Sequence, residues 1–137
     1  MATQARTLNG LHILVVEDEA IVAMMLEDML LEFGCRVELA SSIKGALTAI
    51  RDHPLDGVLL DMNIHGQHTT AVAEELVSRS MPFLLVTGYG SGNDDPPVIK
   101  AAQRLQKPFS QDDLGRRMWE VFGVVDGAAA RGSRTPG

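Results

Sequence analysis

A carboxylate at the end of an apolar run is the first residue that suggests chemistry. The stretch VLLDMNIHG covers residues 58–66, and three apolar residues in it lead directly into Asp61. Such a run is typical of a buried strand, and burying an unpaired carboxylate costs free energy. Asp61 therefore needs either a positively charged neighbour or a chemical role that keeps it at this position.

Four more polar side chains stand at or just after the ends of other apolar runs: Glu17, Asp18, Thr87 and Lys107. In an open parallel sheet, ligands bind outside the carboxyl ends of the strands, so these side chains would meet Asp61 at one edge. Clustered carboxylates repel one another unless a cation lies among them, and oxygen ligands of this kind suit Mg²⁺. With the metal bound, Asp61 can act as an oxygen nucleophile toward phosphorus and form an aspartyl phosphate.

The charge of a transferring phosphoryl group needs fixed donors and cations around it. Mg²⁺, the Lys107 ammonium, the Thr87 hydroxyl and backbone N–H groups near Asn63 and Gly88 would supply them. The pattern therefore predicts a phosphoryl-transfer site in which a protein carboxylate is the acceptor.

The elements that must position these residues alternate along the chain. Short segments rich in Val, Leu and Ile predict five strands, at residues 11–16, 36–41, 57–61, 82–88 and 104–107. Helical spacing and capping residues predict helices between them, at residues 20–33, 41–52, 69–80 and 110–122, with at most a short or irregular helix at 98–103. The alternation predicts an α/β fold, a doubly wound parallel sheet with helices on both faces.

The first helix carries apolar residues on more than one face. The residues predicted to form its core stripe are Ile21, Val22, Met25, Leu26, Met29, Leu30 and Phe33. Met24 and Leu31 fall outside this stripe, and there they would form either a docking strip for a partner helix or scattered exposed apolar residues.

Composition limits the class of protein. The 137 residues predict one domain, with a flexible arm at 1–9, a globular part at 10–123 and a disordered tail at 124–137. The net charge of −6 argues against nucleic-acid binding. A single cysteine, Cys35, fits a reducing compartment, and neither an export signal nor a run long enough to span a membrane is visible. A soluble, cytoplasmic protein is expected.

Four motifs together resemble the receiver domain of bacterial two-component response regulators: ILVVEDE (13–19), GVLLDMN (57–63), LLVTGYG (84–90) and LQKPF (105–109). The resemblance implies a flavodoxin-like five-stranded sheet of order 2-1-3-4-5. It implies that Asp61 is the phosphoacceptor, that Mg²⁺ or Mn²⁺ binds to Asp18, Asp61, the Asn63 carbonyl and, through water, Glu17, and that Thr87 and Lys107 contact the phosphoryl group. It also implies a cis peptide bond before Pro108.

The resemblance further implies a histidine kinase or histidine phosphotransfer protein as the partner. The chain would be a stand-alone switch or phosphate sink, not a conventional enzyme, and a monomer or weak dimer. Two other functions are alternatives to this one. An aspartyl phosphohydrolase would need a second carboxylate at Asn63, and a pseudo-receiver, a binding module that is not switched by phosphorylation, would not need the complete set of site residues.

Several positions depart from the usual receiver pattern. DMNIHGQ (61–67) lacks the proline that commonly follows the phosphoacceptor, and Arg104 stands where most receivers carry an aromatic switch residue. These features and VTGYG (86–90) resemble the FAT GUY subgroup of stand-alone receivers. Switching is therefore assigned to Thr87, Tyr89 and Arg104, with residues 88–102 as the element that orders on phosphorylation. His65 and His68 are expected to be solvent-exposed without a metal role.

Overall fold

The sheet has the predicted architecture. The structure, a computed structural model, describes residues 6–88 and 95–125. Its five parallel strands lie in the order β2-β1-β3-β4-β5, which confirms the flavodoxin-like order. They are β1 (His12–Val16), β2 (Arg36–Ala40), β3 (Gly57–Asp61), β4 (Phe83–Thr87) and β5 (Arg104–Gln106).

Helices cover both faces of this sheet. They are α1 (Ala20–Glu32), α2 (Ile43–Asp52), α3 (Thr70–Ser78), α4 (Pro97–Ala101) and α5 (Gln111–Phe122). Strand residues such as Leu14 and Leu60 pack with α2, α3 and α4, whereas their neighbours Ile13 and Leu59 pack with α1 and α5. Because the inner strands are buried on both faces, their sequences are continuous apolar runs rather than alternating ones.

The predicted boundaries of the strands and helices agree with the structure to within two residues. The reduced fourth helix is also confirmed, since α4 has only five residues. At the start of α5, the Ser110 side chain accepts from the N–H of Asp113 and the Asp113 side chain accepts from the N–H of Ser110. This reciprocal capping box fixes the point at which α5 begins, four residues after Lys107.

The predicted core stripe of α1 is wrong at two positions. Ile21 is 82% exposed and Met25 is 42% exposed, while Ala23, Leu26 and Leu30 are buried. Apolar residues occupy nearly every side of this helix, so their spacing alone could not select the buried face. The structure turns the small Ala23 toward the sheet and leaves the larger Ile21 and Met25 outside.

The structured part of the chain extends past the predicted domain limits at both ends. Arg6–Thr7 pairs antiparallel with Val124–Val125, and Leu8 is only 3% exposed. The predicted arm at 1–9 and tail at 124–137 thus each contain paired residues. Residues 1–5, 89–94 and 126–137 lie outside the described residues. Within the described ranges, no helix combines the length and apolar character needed to cross a membrane.

A close approach between β3 and α5 gives a prediction for the fold. A Cβ added at Gly57 would overlap the ring of Phe122, which is 5% exposed. Gly57→Ala should therefore lower the free energy of unfolding by about 1–3 kcal/mol, as measured by urea denaturation, because overpacking forces the ring to shift. The same Gly57→Ala change should cost less free energy of unfolding in a Phe122→Leu background than in wild type, because the ring that the new Cβ overlaps is then absent. Strictly additive effects would contradict the contact.

Candidate functional site

The carboxyl edge of the sheet gathers the acidic residues that the sequence singles out. Glu17 and Asp18 directly follow β1, and Asp61 is the last residue of the neighbouring strand β3. One carboxylate oxygen of each lies within 4.8 Å of the others, which makes them the cluster of possible metal ligands among the described residues. Parallel pairing of β1 with β3 brings the three together, as expected for this edge.

Lys107 brings a positive charge to the same place. Its ammonium Nζ lies 3.5 Å from Glu17 Oε1 and 3.6 Å from Asp61 Oδ2. The N–H of Lys107 donates to the carbonyl of Thr87 at 2.8 Å, and the peptide bond before Pro108 is cis, as the receiver resemblance implied. One ammonium cannot neutralise three carboxylates, so the site retains an excess of negative charge.

Glu17 shows the effect of that excess. It is only 2% exposed, and its Oε2 accepts from the N–H of Glu19 at 3.1 Å. Burial, aided by the charge of Asp61, raises the pKa of Glu17 from 4.5 to about 7, although the Glu19 hydrogen bond and Lys107 act in the opposite direction. Without a cation the site therefore holds a carboxyl group that retains its proton near neutral pH.

Asp18 has a different environment. Its Oδ2 accepts from the backbone N–H of His65 at 2.8 Å, and this bond is the largest cause of a lowered Asp18 pKa. A hydrogen bond to the ionised form favours ionisation. Two adjacent acids thus differ in their tendency to hold a proton, and Asp18 is the one kept charged.

The backbone of the phosphoacceptor candidate is fixed by a residue that sequence reasoning missed. Thr69 is fully buried, and its hydroxyl lies 2.8 Å from the carbonyl of Asp61 and 3.0 Å from that of Met62. It precedes α3 as the N-cap, but its side chain makes no cap hydrogen bond. A threonine at a helix start reads as a cap, so the sequence carried no signal for this second use.

Thr87, the last residue of β4, contacts Met62, and Asn63 contacts Asp61. Thr87 is 1% exposed, and its hydroxyl donates to the sulfur of Met62 at 3.4 Å. Asn63 follows Asp61 by two residues, and its N–H donates to Asp61 Oδ1 at 3.3 Å. Gly88, just after Thr87, is exposed and has no neighbour within 4 Å of an added Cβ. Tyr89 lies outside the described residues.

Arg104 is directed toward α4. Its Nη2 donates to the carbonyl of Ile99 at 2.8 Å, and its own carbonyl accepts from the Arg117 guanidinium. Its Nη1 is buried and has no hydrogen-bond partner among the residues that the structure describes. Most receivers carry an aromatic side chain at this position. In this chain a cation stands there instead, and it anchors the short fourth helix.

The two loop histidines differ in what they contact. His68 is exposed, and its ring hydrogen-bonds to the Thr70 hydroxyl at 2.8 Å. The His65 side chain is also exposed, at 65%, but His65 contacts Asp18 through its backbone and its ring. The acidic cluster formed by described residues contains neither of them.

The raised pKa of Glu17 predicts how stability depends on pH. Because the folded pKa exceeds the unfolded one, the folded state binds this proton more tightly, and ionisation costs stability as pH rises from about 4.5 to about 7. In EDTA, Glu17→Gln should remove that loss and stabilise the chain above pH 7 by no more than about 3 kcal/mol. Thermal unfolding of both proteins at about pH 5 and about pH 8 measures this difference in stability. Glu19→Gln, an exposed neighbour, should behave as wild type; an unchanged pH dependence in Glu17→Gln would contradict the assignment.

Comparison with known proteins identifies the family of the chain. Residues 13–118 match the response regulator receiver domain. The transcriptional regulatory protein ZraR of Escherichia coli K12 is 30% identical over 112 residues, which are 79% of this chain and 25% of ZraR. The chain spans between 15% and about half of the length of the curated relatives it matches.

Solved structures share this fold. SdrG from Sphingomonas melonis Fr1 is 37% identical, with a TM-score of 0.68 over 78% of this chain and 92% of that one. The receiver domain of sensor histidine kinase PA1611 from Pseudomonas aeruginosa PAO1, solved with a magnesium ion coordinated in its active-site cleft, is 25% identical, with a TM-score of 0.72 over 81% and 96% of the two chains. The family matches most of the length of this chain, and the acidic residues lie together at the carboxyl edge of the sheet. The chain therefore belongs to the response regulator receiver domains.

Proposed function

We propose that Asp61 accepts a phosphoryl group from a phosphorylated histidine of a histidine kinase or histidine phosphotransfer protein. The observation that supports this most is that Asp61 Oδ2 lies 3.6 Å from Lys107 Nζ, beside the carboxylates of Glu17 and Asp18. This arrangement provides a nucleophile, a fixed cation and oxygen ligands at one edge of the sheet.

The donor set fits a hard divalent cation. Glu17, Asp18 and Asp61 each bring one carboxylate oxygen into a cluster 4.8 Å across. Mg²⁺ in phosphoryl-transfer sites is usually bound by one or two such carboxylates, with water and phosphate oxygens as its other ligands. Asp18 and Asp61 would bind it, with Glu17 acting through water and the Asn63 carbonyl as a further ligand. Bound Mg²⁺ would neutralise the negative charge that accumulates on the phosphoryl oxygens.

The transfer itself exchanges one bond for another. A carboxylate oxygen of Asp61 forms a bond to phosphorus while the bond from phosphorus to the donor's imidazole nitrogen breaks, and the bonding pair remains on that nitrogen. Lys107 stabilises the transferred oxygens from the side where it already contacts Asp61. The Thr87 hydroxyl, now donating to a thioether, would turn to a phosphoryl oxygen, which is a far stronger acceptor.

That movement would also carry the signal. If Thr87 releases Met62, the end of β4 can shift, and Arg104 on the neighbouring strand β5 would pass that shift to α4, because it donates to the carbonyl of Ile99. The switch proposed for residues 88–102 therefore includes α4, although Tyr89 lies outside the described residues. The domain would then act by protein contact, or as a phosphate sink, without needing an output domain for the chemistry.

The surface next to the site fits the proposed partner. Ile21, Met24, Met25 and Leu31 leave an exposed apolar face on α1, which begins two residues after Asp18. Phosphorylated histidines must reach Asp61 from outside, and an apolar helix face beside the site is suited to packing against a helix of the donor protein. The sequence offered Met24 and Leu31 as a possible docking strip. Ile21 and Met25, which were wrongly assigned to the core, enlarge it.

The acceptor assignment predicts a specific labelling result. Acetyl phosphate with Mg²⁺ should add one phosphoryl group to wild type, visible by intact mass and stable to acid but not to alkali. Asp61→Asn should abolish it, because an amide is not a nucleophile of comparable strength. Asp56→Asn is a matched control outside the site and should be labelled normally. A wild type that is folded and unlabelled would favour the pseudo-receiver, the binding module not switched by phosphorylation.

The docking assignment predicts a separation of two phosphodonors. Ile21→Ser combined with Met25→Ser should slow phosphotransfer from the cognate histidine kinase, found by profiling the kinases of the host, by about tenfold or more, because hot-spot truncations cost over 1 kcal/mol. Labelling by acetyl phosphate, which needs no protein surface, should not change. Val77→Ser, an apolar residue 55% exposed on α3, is the control. Equal transfer to all three proteins would exclude this face.

A further inference from the structure

One buried residue holds both peptide groups that directly follow the phosphoacceptor candidate. The hydroxyl of Thr69 lies 2.8 Å from the carbonyl oxygen of Asp61 and 3.0 Å from that of Met62. A carbonyl oxygen can only accept, so the hydroxyl hydrogen points toward these two atoms. The backbone N–H of Thr69 donates to the same Met62 carbonyl at 3.0 Å. The hydroxyl and the amide of Thr69 therefore fix the chain on the C-terminal side of Asp61.

The sheet fixes only the other side of this residue. Asp61 is the last residue of β3 and pairs with Val86 of β4, and the N–H of Met62 donates to the Val86 carbonyl at 3.1 Å. From Asn63 onward the chain has left the parallel sheet. The rotamer that a side chain adopts depends on the backbone torsion angles of its residue. Thr69 therefore shares with β4 the task of directing the Asp61 carboxylate.

The helix that Thr69 precedes does not use its hydroxyl. An N-cap threonine usually accepts a hydrogen bond from a backbone N–H in the first helical turn. The Thr69 side chain makes no such bond to α3, although it stands at the N-cap position. Side chains of this type can hydrogen-bond to nearby backbone groups outside the helix instead. The hydroxyl thus serves the end of β3 and not the start of α3.

We propose that Thr69 is a positioning residue for phosphoryl transfer, because its hydroxyl acts through the carbonyls of Asp61 and Met62 to direct the Asp61 carboxylate toward the incoming phosphorus. The inference rests on the proposed role of Asp61 as the phosphoacceptor. Reacting groups that are held in the correct geometry lower the barrier, and a displacement of about 1 Å can cost a reaction about a hundredfold in rate. Without the hydroxyl, the carboxylate would lose its fixed position beside Lys107, whose Nζ now lies 3.6 Å from Asp61 Oδ2.

The same grip extends to the hydroxyl that is proposed to contact the phosphoryl group. Met62, whose carbonyl Thr69 holds, also carries the sulfur to which the Thr87 hydroxyl donates at 3.4 Å. Thr69, Met62 and Thr87 are all buried. One hydroxyl therefore positions the nucleophile and, through Met62, the resting place of Thr87.

The test separates positioning from simple packing. Thr69→Val replaces the hydroxyl by a methyl group of similar size, whereas Thr69→Ser keeps the hydroxyl and loses the methyl group. Labelling of Asp61 by acetyl phosphate is followed at saturating Mg²⁺ and at a temperature at which every variant is folded. Thr69→Val should lower the maximal rate constant about tenfold, with little change in the acetyl phosphate concentration that gives half of it. Thr69→Ser should retain most of the wild-type rate.

Two further variants control the comparison. Thr70→Val removes the neighbouring hydroxyl, which hydrogen-bonds to the His68 ring at 2.8 Å, and should be labelled like wild type. Thr69→Ala differs from Thr69→Ser only by the hydroxyl, so this pair decides the question if Thr69→Val does not fold. Urea denaturation and Mg²⁺ titration of the same samples measure stability and metal affinity separately.

A purely structural Thr69 would give a different pattern. Valine and serine would then both lower the free energy of unfolding, and neither would change the labelling rate of the folded protein. Wild-type labelling of Thr69→Val, equal slowing of Thr69→Val and Thr69→Ser, or slowing that weaker Mg²⁺ binding explains would overturn the proposal. An unlabelled wild type would refute the proposed function and this inference together, whereas a labelled wild type with an equally fast Thr69→Val would refute this inference alone.

Discussion

Mutual repulsion among three carboxylates is the constraint around which the site is built. Glu17, Asp18 and Asp61 lie within one small cluster, and Lys107 supplies a single opposing charge. The metal-free chain relieves part of the repulsion with a proton, since burial raises the pKa of Glu17 to about 7. A divalent cation would relieve it more completely, and a phosphoryl group on Asp61 would then find its counter-charge already in place.

The rest of the fold serves to hold that unfavourable cluster together. Parallel pairing of β1 with β3 sets Glu17, Asp18 and Asp61 side by side, and both strands are buried in the two hydrophobic layers. The Thr69 hydroxyl donates to the carbonyl of Asp61 and so fixes the peptide after it. The N–H of Lys107 donates to the carbonyl of Thr87, and this bond joins the last two strands at the same edge. Such a core can stabilise a strained site because the apolar burial is spread over the whole sheet.

The sequence was sufficient to bring the acidic residues and Lys107 to one edge of the sheet, but not to place the residues around them. Asp61, Lys107 and the acidic pair could be placed because strand ends converge in a parallel sheet, whatever the details of packing. The buried face of α1 could not be predicted, because apolar residues lie on more than one side of this helix. Only the structure shows that Ala23 is buried against the sheet and that Ile21 is exposed. The contacts of His65 and Thr69 could not be predicted either. His65 lies in a turn and contacts Asp18, which is distant in sequence, and Thr69 precedes a helix but donates to the carbonyl of Asp61.

Mg²⁺ binding tests the central claim most directly, because every proposed step depends on a cation among these carboxylates. Calorimetric titration of wild type should show one site, weakened by tenfold or more in Asp18→Asn, which removes a charged ligand but keeps the shape of the side chain. The Asp56→Asn variant removes an equal charge away from the edge and should bind like wild type. An Asp18→Asn protein that binds Mg²⁺ as tightly as wild type would contradict the account.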